Sequence, residues 1–252
     1  MHDAARAPFI HHGTPAFRQT NLALFAAGFA TFGLLYCVQP LMPEFSRDYG
    51  VSAAGSALSL LLTTGVLAVA MLFAGALSDA WGRKSVMVAS LLSSALLVLV
   101  TAVMPNWTAL LVVRTLLGLT LSGLPAVAMT YLGEEMHVES IGLGMGLYIS
   151  GSAVGGMGGR LITGVLADFF GWRAGVMVVG IIGVLAGAIF WRALPPSRHF
   201  VAQPLRWRLV IGRFAGMFHD RGLPWLFVEG FLLLGAFVTV YNYLGYRLLA
   251  AP

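Results

Sequence analysis

The sequence predicts an all-α integral membrane protein: a six-helix bundle made of two inverted three-helix units, followed by a seventh spanning helix. Three observations lead there. The chain of 252 residues is 58% hydrophobic and only 10% charged, with a mean hydropathy of +0.85, against about 45–50% apolar and about 25% charged residues in soluble domains. Its apolar residues gather in runs of about 20 or more, long enough at about 1.5 Å per residue to cross a hydrocarbon core of about 30 Å. Finally, Gly75, Leu77, Asp79, Gly82 and Lys84 return as Gly164, Leu166, Asp168, Gly171 and Arg173, each pair offset by 89 residues. A fixed offset with three apolar segments per period is the mark of a duplicated three-helix unit.

Residues 1–20 are polar and mixed, without the apolar core of a cleavable signal peptide, and form an amino-terminal tail. The first span is expected over 21–42, ended by Pro40 and Pro43, and a polar loop with Glu44, Arg47 and Asp48 leads to the second, 53–77. A charged hinge, Gly75 to Lys84, turns the chain into the third span, 85–104. Pro105-Asn106 is a turn signal, so the fourth span is 107–131. Glu134, Glu135, His137 and Glu139 make a loop before the glycine-rich fifth span, 141–167; the hinge copy follows, and the sixth span is 174–194. A basic central loop, 195–222, precedes the seventh span, 223–249.

The net charge of +5 would suggest nucleic acid in a soluble chain. Here the positive residues lie between apolar spans, where they mark the cytoplasmic face of a bilayer, and no nucleic-acid partner is expected. With the amino terminus inside, the inner segments carry Arg6, Arg18, Arg83, Lys84, Arg192, Arg198, Arg206, Arg208, Arg213 and Arg221, and the outer ones only Arg47, Arg173 and Arg247. Asp79 then faces the cytoplasm and Asp168 the opposite side, an inverted repeat. Cys37 is the single cysteine, so no intrachain disulfide forms. No cofactor or metal is expected, and no catalytic residues: the six histidines lie outside the spans and no aspartate pair lies within them, which removes an intramembrane protease. A seven-helix receptor would match the span count and leave the repeat unexplained.

Within the spans, Arg114 carries a cost of about 2.5–3.5 kcal/mol on insertion scales and is expected to face protein or a wet cavity, or else to snorkel to the interface. Arg160 stands beside Gly151, Gly155, Gly156 and Gly159, small residues that let a neighbouring backbone approach; a cavity role and a packing seam both remain open for it. Glu229 is the acidic residue well inside a span, where burial would favour the protonated form of a proton carrier, with snorkelling or pairing to Arg221 as alternatives. Tyr36, Gln39 and Asn242, with Tyr241, are polar or amphipathic candidates for a cavity wall, although tyrosine also marks interfaces. At the hinge, Gly75 and Gly82 are expected to permit a tight reversal. Asp79 and Arg83 are expected to pair on the first turn of the third helix, the aspartate favoured by the helix dipole.

These residues resemble a known family. Gly75 to Lys84 looks like the signature loop between the second and third helices of the major facilitator superfamily. Arg114 with Gly118 matches that family's fourth-helix motif. Gly151 to Gly159 is similar to the fifth-helix motif of its proton-driven efflux branch, with Gly156 where a proline commonly stands. Leu194-Pro195-Pro196-Ser197-Arg198 and the segment from Glu229 to Arg247 look like bacterial inner-membrane efflux members. The resemblance implies an alternating-access carrier in the inner membrane, with protons as partners besides the lipid bilayer, and the scarcity of charge within the spans points to a small uncharged or amphipathic solute. It implies a clamping role for Asp79 and Arg83 and a link to proton coupling for Arg114. It also implies twelve helices, so that the chain would be incomplete, requiring further C-terminal helices or a full-length partner, or would be a non-transporting remnant of such a carrier.

Overall fold

The computed structural model describes residues 8–203, 212 and 216–249; Arg6, Arg206, Arg208 and Arg213, counted in the basic bias, lie outside them. Nine α-helices organise the described residues. Helix α1 (Pro15–Tyr36) opens with Thr14 Oγ1 accepting from Phe17 N at 3.2 Å and proline in its first turn, a position where the missing N–H costs nothing. Pro40 and Pro43 have no N–H to continue the ladder. The first span therefore breaks into a 3-10 turn (Gln39–Leu41) and a short helix α2 (Met42–Tyr49), so the expected polar loop is helical.

Helix α3 (Ala53–Trp81) runs through most of the expected hinge. Gly75 is an ordinary helical residue within it, and Gly82 alone makes the reversal, at φ +94°, before α4 (Arg83–Ala102) begins. Asp79 is therefore in the last turn of α3, where the dipole disfavours an anion, and not at the start of the next helix as its spacing suggests. The copy behaves alike: α7 (Val138–Phe170) passes through Gly164 and stops at Gly171, φ +80°, before α8 (Trp172–Ala193). The fourth span is also split, into α5 (Trp107–Leu121) and α6 (Gly123–Glu135). Pro125 cannot donate to Leu121, and the hydroxyl of Ser90 accepts from Leu124 N at 3.0 Å where the ladder fails. Helix α9 (Leu223–Leu249) is introduced by Asp220, whose carboxylate accepts from Gly222 N and Leu223 N at 2.8 and 3.0 Å and is thereby held below its ordinary pKa.

By length and composition, six segments among the described residues can cross a membrane: 15–49, α3, α4, 107–135, α8 and 223–244. The 33-residue α7 is outside that set, its apolar character diluted by glycine, Arg160 and Asp168, and its packing places it in the bundle. The main pairings are α1 with α7, α3 with α5, and α4 with α8. Exchanging the first three spans for the next three converts the first pairing into the second and leaves the third unchanged, so the packing carries the repeat seen in the sequence. Contacts across the bundle fix its two ends. Arg83 reaches Glu134 at the end of α6, and Lys84 donates to the Leu194 carbonyl after α8. At the far end Trp172 reaches Asp48 in the last turn of α2, and Tyr49 donates to the Met104 carbonyl after α4. Gly82 and Gly171 thus lie at opposite ends.

The seam between α1 and α7 depends on glycine. A Cβ on Gly151, Gly155 or Gly159 would stand 2.4, 2.1 or 2.5 Å from the carbonyl oxygens of Phe25, Phe29 and Gly33, so the backbones touch with nothing between them. Gly156 points elsewhere, toward Arg160 and Tyr36. Gly155→Val must therefore push α1 off α7 and is expected to cost at least about 1–3 kcal/mol. Gly146→Ala, where an added Cβ meets nothing within 4 Å, is the control. Thermal unfolding of the purified chain, with a clear fall in midpoint for the first and little change for the second, checks this.

Candidate functional site

Three clusters hold the polar side chains singled out above. In the hinge, Arg83 is buried to 7% exposure. Its Nη1 donates to the Ser78 hydroxyl at 2.5 Å and lies 2.5 Å from Asp79, while Nε and Nη2 make a fork of 3.0 and 2.7 Å onto the Glu134 carboxylate. Glu134, placed in a loop by its charge, is thus the geometrically better partner, less exposed than Asp79 and bonded twice. Lys84 is bound to the Leu194 carbonyl. Neighbouring Glu135, 2% exposed, accepts from the backbone N–H groups of Arg198 and His199 at 2.7 and 2.9 Å, tying the start of the central loop to the bundle.

The second copy is wired differently. Asp168 is exposed, and the acid that meets the start of α8 is Asp48, which accepts from Trp172 Nε1 at 2.6 Å and lies 3.5 Å from Arg173. In each half, therefore, the first residues of the third helix reach an acid at the end of the opposite half's first span. Glu134 and Asp48 are equivalent in this exchange, and no fixed offset reveals it because the two acids sit at slightly different registers.

Arg114 is wholly buried, so snorkelling is excluded. Its Nε donates to the Ser59 carbonyl at 3.1 Å, Nη2 to Leu35 at 2.9 Å and Nη1 to Leu34 at 3.5 Å. The last two carbonyls are in the final turn of α1, where unpaired carbonyls and the negative end of the dipole favour a cation. Gly118 allows the approach: a Cβ there would be 2.3 Å from the Thr63 carbonyl of α3.

The third cluster joins four residues that the sequence placed far apart. Arg160 Nε donates to Gln39 Oε1 at 2.6 Å and Nη1 to the Gly156 carbonyl at 2.7 Å, and Gln39 Nε2 donates to Asn242 Oδ1 at 2.6 Å. The guanidinium carbon stands 4.2 Å from the ring centre of Tyr36 and 4.9 Å from that of Tyr241, within cation–π range. Beside it lies a cavity of about 440 Å³ among α1, α6, α7 and α9, walled by Phe32, Tyr36, Pro125, Tyr148 and Phe237. Tyr148, 12 residues before Arg160 on α7, was missed because an aromatic in a glycine-rich span reads as packing. Glu229 is on an exposed part of α9 and has no ion pair with Arg221 among the described residues, so the burial expected of it is not found.

Comparison with known proteins places this architecture. Residues 24–251 match the family Major Facilitator Superfamily. The chain is 50% identical over 244 residues to the inner membrane transport protein YnfM of Escherichia coli (strain K12), covering 97% of this chain and 58% of that protein. It is 47% identical over 244 residues to the MFS-type transporter YybF of Bacillus subtilis (strain 168), covering 97% and 60%. The chain thus spans about 60% of the length of the curated relatives it matches. Its fold superposes on a crystal structure of a mutant peptide transporter POT in complex with sulfate with a TM-score of 0.60 at 16% identity, over 87% of this chain and 45% of that one.

The hinge geometry orders its two acids. Glu134→Gln is expected to destabilise the chain by about 1–3 kcal/mol, because it removes a charge-assisted fork from a buried guanidinium. Asp79→Asn is expected to cost less, since that carboxylate is 40% exposed and well solvated. Thermal midpoints of the two variants check the ranking, and a larger loss for Asp79→Asn contradicts it.

Proposed function

The chain belongs to the major facilitator superfamily, and from that we propose that it acts as a secondary active carrier working by alternating access, moving a small amphipathic solute outward across the inner membrane in exchange for protons. The cavity beside Arg160 is the observation that carries the reading. Both halves of the repeat and the seventh helix meet there, so any rocking of one half against the other changes which side the cavity opens to. Helix α9 touches the bundle through Phe237, Tyr241, Asn242 and Tyr246 in its second half. There Tyr246 lies 2.6 and 2.7 Å from the Ser46 and Ser56 hydroxyls and donates to the Met42 carbonyl at 2.9 Å. Trp225 and Phe231 in its first half are exposed. With the amino terminus in the cytoplasm, as the arginine bias favours, this is an arrangement latched at the outer end and open toward the inside.

The hinge cluster is the proposed clamp on the cytoplasmic side, with Arg83 held by Glu134 as well as Asp79. Arg114 and Glu229 are the proposed proton-coupling residues. Arg114 is suited to the role because its charge is met by carbonyl dipoles and the Cys37 side chain, with no carboxylate paired to it among the described residues, so a nearby protonation event changes its surroundings strongly. The second reading, a non-transporting part that works only with further helices or a full-length partner, is favoured by the exposed first half of α9.

Single cysteines separate the two. Cys37 is wholly buried and gives little background. In intact cells and everted vesicles treated with a membrane-impermeant thiol reagent, Trp81→Cys is expected to react only from the cytoplasm and Phe170→Cys, its equivalent 89 residues on, only from outside. Ala153→Cys, in the cavity wall, is expected to react from both sides. Same-side labelling of the first two overturns the inverted repeat, and one-sided labelling of the third favours the non-transporting reading. In proteoliposomes, Arg114→Gln and Glu229→Gln are each expected to abolish proton-coupled flux; coupling that survives both removes the proton from the mechanism.

A further inference from the structure

The two arginines inside the bundle differ in one respect. Arg114 has each of its three nitrogens on a carbonyl. Arg160 spends Nε on Gln39 and Nη1 on Gly156, and its Nη2 is buried with no hydrogen-bond partner among the described residues. Among the described residues no carboxylate is paired with it, and none lines the cavity it borders. A guanidinium does not lose its proton in a protein, so the wall carries a full positive charge with an unused donor in surroundings of low dielectric. Leaving such a charge unpaired is costly.

What covers the open side of Arg160 is weak and movable. The ring of Tyr241 lies over it, and Asn242 holds the far side of Gln39; both belong to α9. When α9 swings from the bundle, as the carrier reading requires, Arg160 loses the Tyr241 ring and Gln39 loses Asn242, while Arg160 keeps Gln39, Gly156 and the Tyr36 ring. Gly156 leaves the adjoining helix surface bare: a Cβ there would stand 3.3 Å from Nη1 and 3.4 Å from Tyr36. The rest of the lining is mostly apolar or aromatic, with Phe32, Pro125, Ile149, Ala153 and Phe237; its other polar groups are Ser152, whose hydroxyl donates to the Tyr148 carbonyl, and the tyrosine hydroxyls, that of Tyr148 being buried without a partner among the described residues.

Resting on the carrier reading, we infer that the substrate is an amphipathic monoanion, whose carboxylate takes the free edge of the Arg160 guanidinium and whose apolar, ring-sized body lies along Phe32, Pro125 and Ile149. The planar donors of arginine suit a carboxylate, and the rings of Phe32, Tyr36 and Tyr148 in the wall suit a flat aromatic body. The volume of about 440 Å³ lies in the lower part of the range of about 300–1,000 Å³ for small-molecule sites. A cation is repelled. A dianion finds no second basic side chain in the lining. This narrows the uncharged-or-amphipathic solute expected from the scarcity of charge within the spans, because Arg160 faces a cavity and is unpaired there.

The test uses the chain in lipid nanodiscs, titrated with 2-naphthoate, its neutral isostere 2-naphthamide and the cation 2-naphthylmethylammonium, with calorimetry as the readout. The naphthoate is expected to bind at least about tenfold more tightly than the amide, and the cation least tightly of the three. Arg160→Gln is expected to bring acid and amide to within about twofold of each other, Arg160→Lys to keep part of the preference, and the distant, exposed Arg47→Gln to keep all of it. Equal binding of acid and amide by the unaltered chain, or a preference that survives Arg160→Gln, overturns the anion assignment and leaves the cavity standing as a binding site. Failure of all three probes against a chain that is folded by circular dichroism overturns the assignment together with the carrier reading beneath it.

Discussion

Everything in this bundle rests on backbone meeting backbone between α1 and α7. Gly151, Gly155 and Gly159 present no side chain toward Phe25, Phe29 and Gly33, and in a bilayer, where apolar burial adds little between helices, such close contact is what holds them together. Gly118 does the same for α5 against α3, the equivalent pair under exchange of the two halves. Each close pair takes one helix from each half. The halves are therefore locked across their boundary, and neither is a separately packed unit.

The polar interactions follow from that interlocking. Because α5 lies tight on α3, Arg114 reaches the carbonyls at the end of α1, which are free because Pro40 and Pro43 stop the helix there. Because the ends of opposite halves are brought level, Arg83 meets Glu134 at one end of the bundle, and Trp172 with Arg173 meets Asp48 at the other. The charges thus sit at the ends, where lipid headgroups and water moderate their cost, or inside against helix carbonyls. Arg160 is the exception, and the exception lines the cavity.

The same geometry explains why a cavity exists among α1, α6, α7 and α9. Pro125 interrupts the fourth span, and Pro40 and Pro43 interrupt the first, where both pack beside α7. The glycine seam holds α7 close to α1 on one side and leaves Gly156, Tyr148 and Arg160 on the other. Helix α9 closes the space through a few polar contacts near one end, an arrangement that can open without disturbing the bundle.

Composition and the 89-residue offset determined on their own that the chain is a bundle of membrane helices built from an inverted repeat, since both depend on the length and pattern of apolar runs. Gly82 and Gly171 were legible as reversal points because left-handed backbone selects glycine. Helix ends were misplaced by a few residues, because charge marks a loop only when it is solvated: Glu134 and Glu135 are helical and satisfied by partners distant in sequence. Tyr36, Gln39, Arg160 and Asn242 were each visible as polar residues in apolar spans, yet that they form one chain of bonds was not, because Gln39 and Asn242 are separated by 203 residues. Only the tertiary structure decided that Arg114 is satisfied and Arg160 is not. Which carbonyls are within reach of a guanidinium depends on where helices end and how closely they pack.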